Sequence, residues 1–213
     1  MGLKNKKILI TAGPTWVPID KVRVISNIAT GQTGMLLATE LKKKGTKVTL
    51  ILGPTGENAF KEKGIRILNF KFYYELLNII KQELKRQKYD IIIHSAAVSD
   101  YKPLTYFKNK IKSGIEKLKL ILVPLPKIIN IIKKISPDIF LVGFKFEPNA
   151  GKIKLIKSAE LLLKNAKADM VVASTLDRQR YRAYIIEKNL NGSGPFLKRI
   201  YLTKALVAKL ESI

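Results

Sequence analysis

Hydrophobic runs alternate with amphipathic stretches along the whole chain. Short aliphatic runs, such as residues 8–10 and 90–94, have the length and composition of buried strands. Between such runs, apolar residues recur at helical spacing, as Leu76, Ile80 and Leu84 do within a helix predicted over residues 73–87. Alternating strands and helices are typical of a mainly parallel sheet that is covered on both faces. The pattern predicts an α/β fold, a Rossmann-like doubly wound sheet, in a single domain over residues 1–213.

The same pattern places the remaining elements. Further strands are predicted at residues 47–52, 65–68, 118–123, 139–144 and 169–173. Further helices are predicted at residues 31–44, 127–135, 153–165 and 204–211. A late β-hairpin is predicted from strands at 183–186 and 197–201, with its turn at 191–194. Gly45 is expected to end the first helix, because glycine is the usual residue just past a helix C-terminus.

The first strand is followed by a long, polar, glycine-bearing loop before the first helix begins near Gly31 and Gly34. Strand, glycine loop and helix together bring backbone N–H groups and a helix N-terminus to a phosphate. The loop has neither the G-x-x-x-x-G-K-[ST] pattern nor a tight G-x-G-x-x-G after the strand. A loop of this length in a compact unit favours a functional role over a plain surface connection, which is the alternative interpretation.

Other polar or small residues also follow predicted strands, at 95–101 and at Gly143-Phe144. Open α/β sheets bind ligands at the carboxyl ends of their strands, so these segments are candidate site walls. The strand at 47–52 ends in Gly53-Pro54, where an NAD enzyme would carry an acidic residue for the ribose, which argues against NAD. Residues 102–114 are polar and end in glycine, and we expect a mobile lid there. His94, the single histidine, is better interpreted as structural than as catalytic.

The composition narrows the function classes. The chain has 40 Lys and Arg against 16 Asp and Glu, a net charge of +24, which is compatible with a basic nucleotide- or nucleic-acid-binding protein. The lysines are dispersed over many segments, however, and this favours solvated helix faces. The absence of cysteine excludes disulfides, thiolate catalysis and cysteine-ligated metals. No apolar run is long enough for a membrane span and no signal peptide is visible, so a cytoplasmic location is expected.

The order of several short motifs resembles the phosphopantothenoylcysteine synthetase family, the ligases of coenzyme A biosynthesis. The motifs are G-P-T and S-N-x-x-[ST]-G in the first loop, then A-A-V-x-D-[YW], K-I-K, P-K-I-I and V-G-F-x-x-E. They run in family order from about residue 8 to 147, and weaker similarity continues to 189. The lysine at 127, where bifunctional bacterial members have aspartate, departs from the family and leaves the choice of nucleobase open.

The resemblance implies a ligase that joins 4'-phosphopantothenate and L-cysteine. The carboxylate would be activated on CTP or ATP with Mg²⁺, pyrophosphate would leave, and cysteine would attack the acyl-nucleotide. The flavin-dependent decarboxylase part of bifunctional members is missing from these residues, so no flavin is expected and a separate decarboxylase is a possible partner. The family also implies a homodimer with a shared active site, and no membrane or specific nucleic acid as partner.

The resemblance also assigns residues. It implies that Asn27 contacts the acyl-nucleotide, that Arg23 and Ala97 bind phosphopantothenate, and that Lys110 on the lid neutralises the triphosphate. The positions that match nucleotide contacts are Gly13, Asp100, Lys110, Pro126, Lys127, Ile128, Ile129 and Phe144. No metal ligand is assigned.

Tyr106 and Lys110 also form a Y-x-x-x-K spacing, which is the catalytic pair of short-chain dehydrogenases. Those enzymes place the pair on a helix and carry a glycine-rich first loop of a different pattern. The surrounding residues here do not favour a helix, and they therefore disfavour the dehydrogenase interpretation.

Overall fold

The computed structural model describes residues 2–56 and 60–212. The strands are β1 (Lys7–Ala12), β2 (Trp16–Pro18), β3 (Val24–Ser26), β4 (Lys47–Leu52), β5 (Arg66–Asn69), β6 (Ile91–His94), β7 (Tyr101–Pro103), β8 (Leu122–Pro124), β9 (Phe140–Phe146), β10 (Met170–Asp177), β11 (Arg180–Glu187) and β12 (Gly192–Phe196). The helices are α1 (Gln32–Lys43), α2 (Tyr73–Arg86), α3 (Ile129–Ile135), α4 (Lys152–Ala166) and α5 (Arg199–Glu211).

Eight strands form one sheet in the order β12-β11-β10-β9-β6-β1-β4-β5. Six of these strands are parallel to one another, namely β10, β9, β6, β1, β4 and β5. The strands β11 and β12 extend the sheet as an antiparallel hairpin. Numbered among themselves in chain order, the six parallel strands stand as 3-2-1-4-5-6, the order of a doubly wound Rossmann-like sheet. The predicted fold class is therefore confirmed, including the late hairpin.

The core lies in two layers, one on each face of the sheet. On one face, Leu9 and Ile92 pack with the buried sides of α2, α3 and α4. On the other face, Ile8 and Ile10 pack with the buried sides of α1 and α5. Because the central strands are covered on both faces, they consist of unbroken aliphatic runs, and each buried side chain stabilises the fold by about 1.5–3 kcal/mol.

Two predicted strands are wrong in position. The strand expected at 118–123 is only Leu122–Pro124, and it pairs with β7 outside the main sheet, so its apolar residues are largely exposed. The second hairpin strand expected at 197–201 is displaced, because Gly192–Phe196 pairs with β11 and α5 already begins at Arg199. The glycines at 192 and 194 read as a turn but lie in the strand.

Two small ribbons, β2-β3 and β7-β8, complete the described chain and were not predicted. Their strands are three residues long, too short to show a periodic pattern.

Within residues 2–56 and 60–212, no helix combines the length and the apolar character that crossing a bilayer would require.

Candidate functional site

The candidate site lies at the point where the sheet order reverses. The connections from β1 and β6 leave toward opposite sides of the sheet, which opens a crevice at the carboxyl ends of these strands. Pairing continues past the strand ends, since the Thr15 amide donates to the Ala97 carbonyl at 3.2 Å and the Ala97 amide donates to the Gly13 carbonyl at 2.9 Å. Gly13 and Ala97, predicted as separate site residues, are thus direct neighbours.

Three glycines bring the start of α1 against the end of β1. Gly13 has φ +83°, and a Cβ there would lie 3.1 Å from the Gly53 backbone. Gly31, with φ +70°, precedes α1, and its Cβ would lie 3.2 Å from the Gly13 nitrogen. At Gly34 a Cβ would lie 2.4 Å from the Ala12 Cβ, so only glycine allows this close helix–strand contact.

The three glycines perform the tasks of a dinucleotide-binding fingerprint, namely a tight turn, an uncovered helix start and close helix–strand packing. The first is separated from the other two by residues 14–30, which include β2 and β3. Gly31 offers α1 no capping side chain, and the Gln32 amide makes only a long contact of 3.5 Å with Thr30 Oγ1, so the first N–H groups of the helix are largely available to a ligand. The three glycines therefore form a cradle whose geometry suits a phosphate, and no short contiguous motif reveals it because residues 14–30 separate the first glycine from the other two.

Asn27 stands at the end of this excursion, beside the cradle. Its Nδ2 donates to the Ala97 carbonyl at 3.0 Å, while the residue as a whole is exposed. One amide hydrogen therefore fixes the side chain and the second remains available for a ligand. Asn27, Ala97 and Gly13 therefore meet at one corner of the crevice.

The hydrogen bonds of Thr15 that fix this corner were not predicted from the sequence. The Thr15 hydroxyl is fully buried, accepts from the Ser99 amide at 2.8 Å and donates to the Ser99 hydroxyl at 3.0 Å. The Ser26 hydroxyl contacts the Thr15 carbonyl at 3.4 Å, which ties the Asn27 end of the loop to the same point. The G-P-T motif was the available signal, but the partner of its threonine lies 84 residues away.

Arg23 is held by an acidic neighbour and lies against the predicted lid. Its Nη1 donates to Asp20 Oδ2 at 2.5 Å and to the Ile111 carbonyl at 3.3 Å. The Ile111 amide in turn donates to the same Asp20 oxygen at 3.0 Å. This amide, together with those of Val22 and Arg23 and the guanidinium, keeps the pKa of Asp20 far below its ordinary value despite burial of the carboxylate.

Lys110 lies next to this contact, in the run of residues 104–121 that contains neither helix nor strand. The Phe107 amide donates to the Ile19 carbonyl at 3.0 Å and provides a second attachment to the first loop. Tyr106 is also outside any helix, so the Y-x-x-x-K spacing does not place it and Lys110 on one helical face. The dehydrogenase interpretation is rejected on this ground too.

The opposite wall contains the other predicted nucleotide contacts. Lys127 Nζ lies 2.8 Å from Asp100 Oδ1, and both side chains are well exposed. Pro126 accepts a hydrogen bond from the Tyr73 hydroxyl through its carbonyl. Ile128 and Ile129 are buried in the core at the start of α3, so their side chains are not available to a ligand.

Phe144 and His94 lie deeper, on neighbouring strands. Phe144 is half-buried on β9 directly after Gly143, which is in register with His94. Nδ1 of His94 and Oγ1 of Thr11 share a hydrogen bond of 2.8 Å, and burial lowers the pKa of His94 to about 4. The ring is therefore neutral at pH 7 and fixed by the core, in agreement with the structural interpretation.

Within the described ranges, no cluster of three or more His, Cys, Asp or Glu side chains is arranged to hold a metal ion. The crevice instead offers backbone N–H groups, one asparagine amide, one arginine fork and two lysines. Such donors suit oxyanions.

The sequence matches the DNA/pantothenate metabolism flavoprotein C-terminal domain family over residues 3–190. The coenzyme A biosynthesis bifunctional protein CoaBC of Thermococcus kodakarensis is 40% identical over 174 residues, which are 82% of this chain and 42% of that protein. CoaBC of Borreliella burgdorferi is 38% identical over 212 residues, 96% of this chain and 52% of that protein. The chain thus spans about half the length of these curated relatives.

Solved structures agree with this match. The DNA/pantothenate metabolism flavoprotein of Streptococcus pneumoniae superposes with a TM-score of 0.83 at 28% identity, covering 97% of this chain and 99% of that one. A Cab2 mutant in complex with phosphopantothenate-cysteine shares the fold, with a TM-score of 0.76 at 19% identity over 98% of this chain and 87% of that one.

Proposed function

The chain belongs to the DNA/pantothenate metabolism flavoprotein C-terminal domain family, as do the phosphopantothenoylcysteine synthetases, and we propose that it is itself a phosphopantothenate–cysteine ligase. The observation that supports this proposal best is the meeting of Gly13, Asn27 and Ala97 at the sheet's reversal point, beside the start of α1. Residues 1–213 would form one ligase domain. The relatives that carry a functional name are about twice as long as this chain, so activity and substrates are proposals here.

The proposed reaction has two steps. The carboxylate of 4'-phosphopantothenate attacks the α-phosphorus of CTP or ATP, an acyl–phosphate bond forms, and pyrophosphate leaves. The amine of L-cysteine then attacks the acyl carbon, loses a proton to water, and displaces the nucleoside monophosphate as the amide forms. Both steps develop negative charge on oxygen, so donors fixed before reaction lower the barrier.

The crevice supplies those donors in two neighbouring groups. The glycine cradle and the start of α1 would receive the phosphates of the nucleotide, with Asp100 and Lys127 on the facing wall. Asn27 would donate its second amide hydrogen to the acyl-nucleotide. Arg23 has its Nη1 engaged, which leaves its Nε and Nη2 hydrogens for the oxyanion of phosphopantothenate.

Mg²⁺ is proposed to enter with the triphosphate. It is usually held by one or two carboxylates and by substrate phosphates, and Asp100 is the exposed carboxylate at this wall. When bound, the ion would neutralise charge on the departing pyrophosphate. The proposal covers both CTP and ATP.

A homodimer is proposed to complete the site. Among the described residues, ten of the eighteen exposed large hydrophobic side chains belong to the two small ribbons and the segments beside them. The ten are Val22, Val24, Ile28, Tyr101, Leu104, Tyr106, Ile115, Leu118, Ile121 and Leu122. Ile28 is fully exposed directly after Asn27, so a subunit that covers it would also border the crevice.

One assay tests the proposal. The protein is incubated with 4'-phosphopantothenate, L-cysteine, Mg²⁺ and either CTP or ATP, and pyrophosphate and the cysteine adduct are measured. We expect pyrophosphate release that depends on phosphopantothenate, and adduct that depends on cysteine. Absence of both products with either nucleotide would overturn the proposal.

The net charge of +24 supports one second candidate, a basic protein that binds nucleotides or nucleic acid without ligation. It predicts tight, steeply salt-dependent binding to RNA or DNA and no pyrophosphate release. The ligase proposal predicts pyrophosphate release and no tight binding to RNA or DNA. Tight binding is not expected because the cations are dispersed over the surface and serve solubility.

A further inference from the structure

Asp20 is a buried carboxylate whose four hydrogen-bond donors come from two distant parts of the chain. The residue is 2% exposed. Its Oδ1 accepts from the Val22 and Arg23 amides, each at 2.7 Å, and these contacts close a local turn. Its Oδ2 accepts from the Arg23 guanidinium at 2.5 Å and from the Ile111 amide at 3.0 Å, 91 residues away. The two oxygens therefore have separable tasks, one local and one long-range.

The long-range oxygen joins two groups that the proposed reaction uses in different places. Arg23 is proposed to bind phosphopantothenate, and Ile111 directly follows Lys110, which is proposed to neutralise the triphosphate. Arg23 Nη1 also donates to the Ile111 carbonyl at 3.3 Å, so arginine, carboxylate and peptide form a closed set of three contacts. Moving any one of them breaks hydrogen bonds to the other two.

These three contacts fix the orientation of the Arg23 guanidinium group. The arginine side chain is 40% exposed, and in solution its long stem would sample many rotamers. Because Asp20 and Ile111 both contact Nη1, the guanidinium plane is fixed while Nε and Nη2 stay free of these two partners. A planar fork fixed in this way loses less entropy when it binds a carboxylate or phosphate.

We propose that Asp20 is a positioning residue that makes Arg23 and the Lys110 segment a single unit, so that binding of phosphopantothenate and closure over the nucleotide are coupled. This inference rests on the proposed ligase function and extends it. Asp20 itself would not touch substrate. It acts through Arg23 on one side and through the Ile111 peptide on the other.

Asp20→Asn tests the long-range oxygen while sparing the turn. The amide oxygen still accepts from the Val22 and Arg23 amides, whereas Nδ2 cannot accept from Arg23 or from Ile111. We expect the KM for phosphopantothenate to rise at least about tenfold, and the exchange of the Ile111 amide hydrogen to become faster in the free protein. Asp90→Asn is the matched control, since Asp90 accepts the Lys7 amide at 2.8 Å at the opposite end of the sheet.

A double-variant cycle checks that the residues act as one unit. If they do, Asp20→Asn combined with Arg23→Lys should lose no more kcat/KM than the worse single variant. Independent roles predict that the two losses multiply, which would overturn the proposal. An unchanged KM, or an unchanged Ile111 exchange rate in Asp20→Asn, would overturn it as well.

The two proposals fail in distinguishable ways. If the ligase assignment is wrong, the wild-type protein releases no pyrophosphate, and the positioning role falls with it. If only the positioning role is wrong, the wild-type protein is active and Asp20→Asn behaves as Asp90→Asn does.

Discussion

At the scale of single residues, Asn27 is the side chain on which the proposed chemistry depends most. One hydrogen of its amide is committed to the Ala97 carbonyl, and this contact sets the direction of the other. Aspartate has the same size but carries only acceptors, so it would repel both that carbonyl and a phosphoryl oxygen. The asparagine is therefore defined by its donors rather than by its shape.

We predict that Asn27→Asp loses at least about 10²-fold in adduct formation, the effect of removing one oxyanion donor. Melting temperature should stay near that of the wild type, because the residue is exposed, and nucleotide binding should fall by much less than adduct formation. Product formation is measured by chromatography and nucleotide binding by calorimetry. If Asn27 only supports the loop, the variant should instead melt earlier and turn over normally.

At the scale of elements, the run of residues 104–121 is the least regular part of the described chain and bears Lys110. Its attachments at Phe107 and Ile111 both go to the first loop. The expected mobility of residues 102–114 stays a prediction. We expect hydrogen exchange across this segment to slow when CTP or ATP is added with Mg²⁺.

Removal of the lysine charge should slow the first chemical step. For Lys110→Gln we predict a drop of about tenfold or more in pyrophosphate release, because a cation near the triphosphate is replaced by a neutral amide. Lys117→Gln is the control, since this exposed lysine lies in the same segment. Equal rates for Lys110→Gln and wild type would show that Lys110 has no charge role.

Glu83 joins α2 to β5 at the other end of the sheet. It is buried and accepts from Arg66 at 2.6 Å, from Arg86 at 3.2 Å and from the Tyr89 hydroxyl at 2.5 Å. Burial alone would raise the pKa of Glu83, but these donors, with Arg66 first among them, lower it to about 2. A carboxyl whose pKa falls on folding stabilises the fold above its unfolded pKa and loses that contribution as the pH falls.

We therefore predict that Glu83→Gln destabilises the protein at pH 7 by about 3 kcal/mol and that the difference shrinks between about pH 5 and pH 2. Urea unfolding at several pH values measures it. The control is Glu40→Gln, which removes a surface pair with Lys43 inside α1. A difference between Glu83→Gln and wild type that is independent of pH would contradict the assignment.

Elements differ in how well their residues announce them. The strands β1, β4, β6 and β9 were predicted because burial on both faces requires unbroken aliphatic runs. The ribbons and the actual register of the hairpin were not predicted. The position of a three-residue strand or of a glycine-rich edge strand depends on its pairing partner, which the local sequence does not show. The site shows the same division. The motifs located Asn27 and Arg23, whereas the Asp20–Ile111 contact joins residues 91 apart and has no local pattern.

At the scale of the whole molecule, more than half of the exposed large apolar side chains of the described residues belong to the two small ribbons and the segments beside them. We predict that the wild-type chain is dimeric at micromolar concentration and that Ile28→Glu weakens the dimer at least about tenfold, because a charge would have to be desolvated at the contact. Sedimentation velocity measures both. Ile153→Glu is the control, since Ile153 is 85% exposed on α4, away from the ribbons. A monomeric wild-type chain, or a fully dimeric Ile28→Glu, would contradict the prediction.

The split glycine cradle also bears on how such a protein can change. The excursion over residues 14–30 leaves the scaffold at Gly13 and returns to it at Gly31, and these two glycines lie side by side. Because the ends of this detour lie side by side, its length can change without displacing the strand before it or the helix after it, while Thr15 and Val17 stay fixed in the interior. Arg23 and Asn27 both lie on this detour. The glycine cradle is therefore held by the sheet, whereas the proposed contacts of Arg23 and Asn27 are supplied by the loop between the two ends of the cradle.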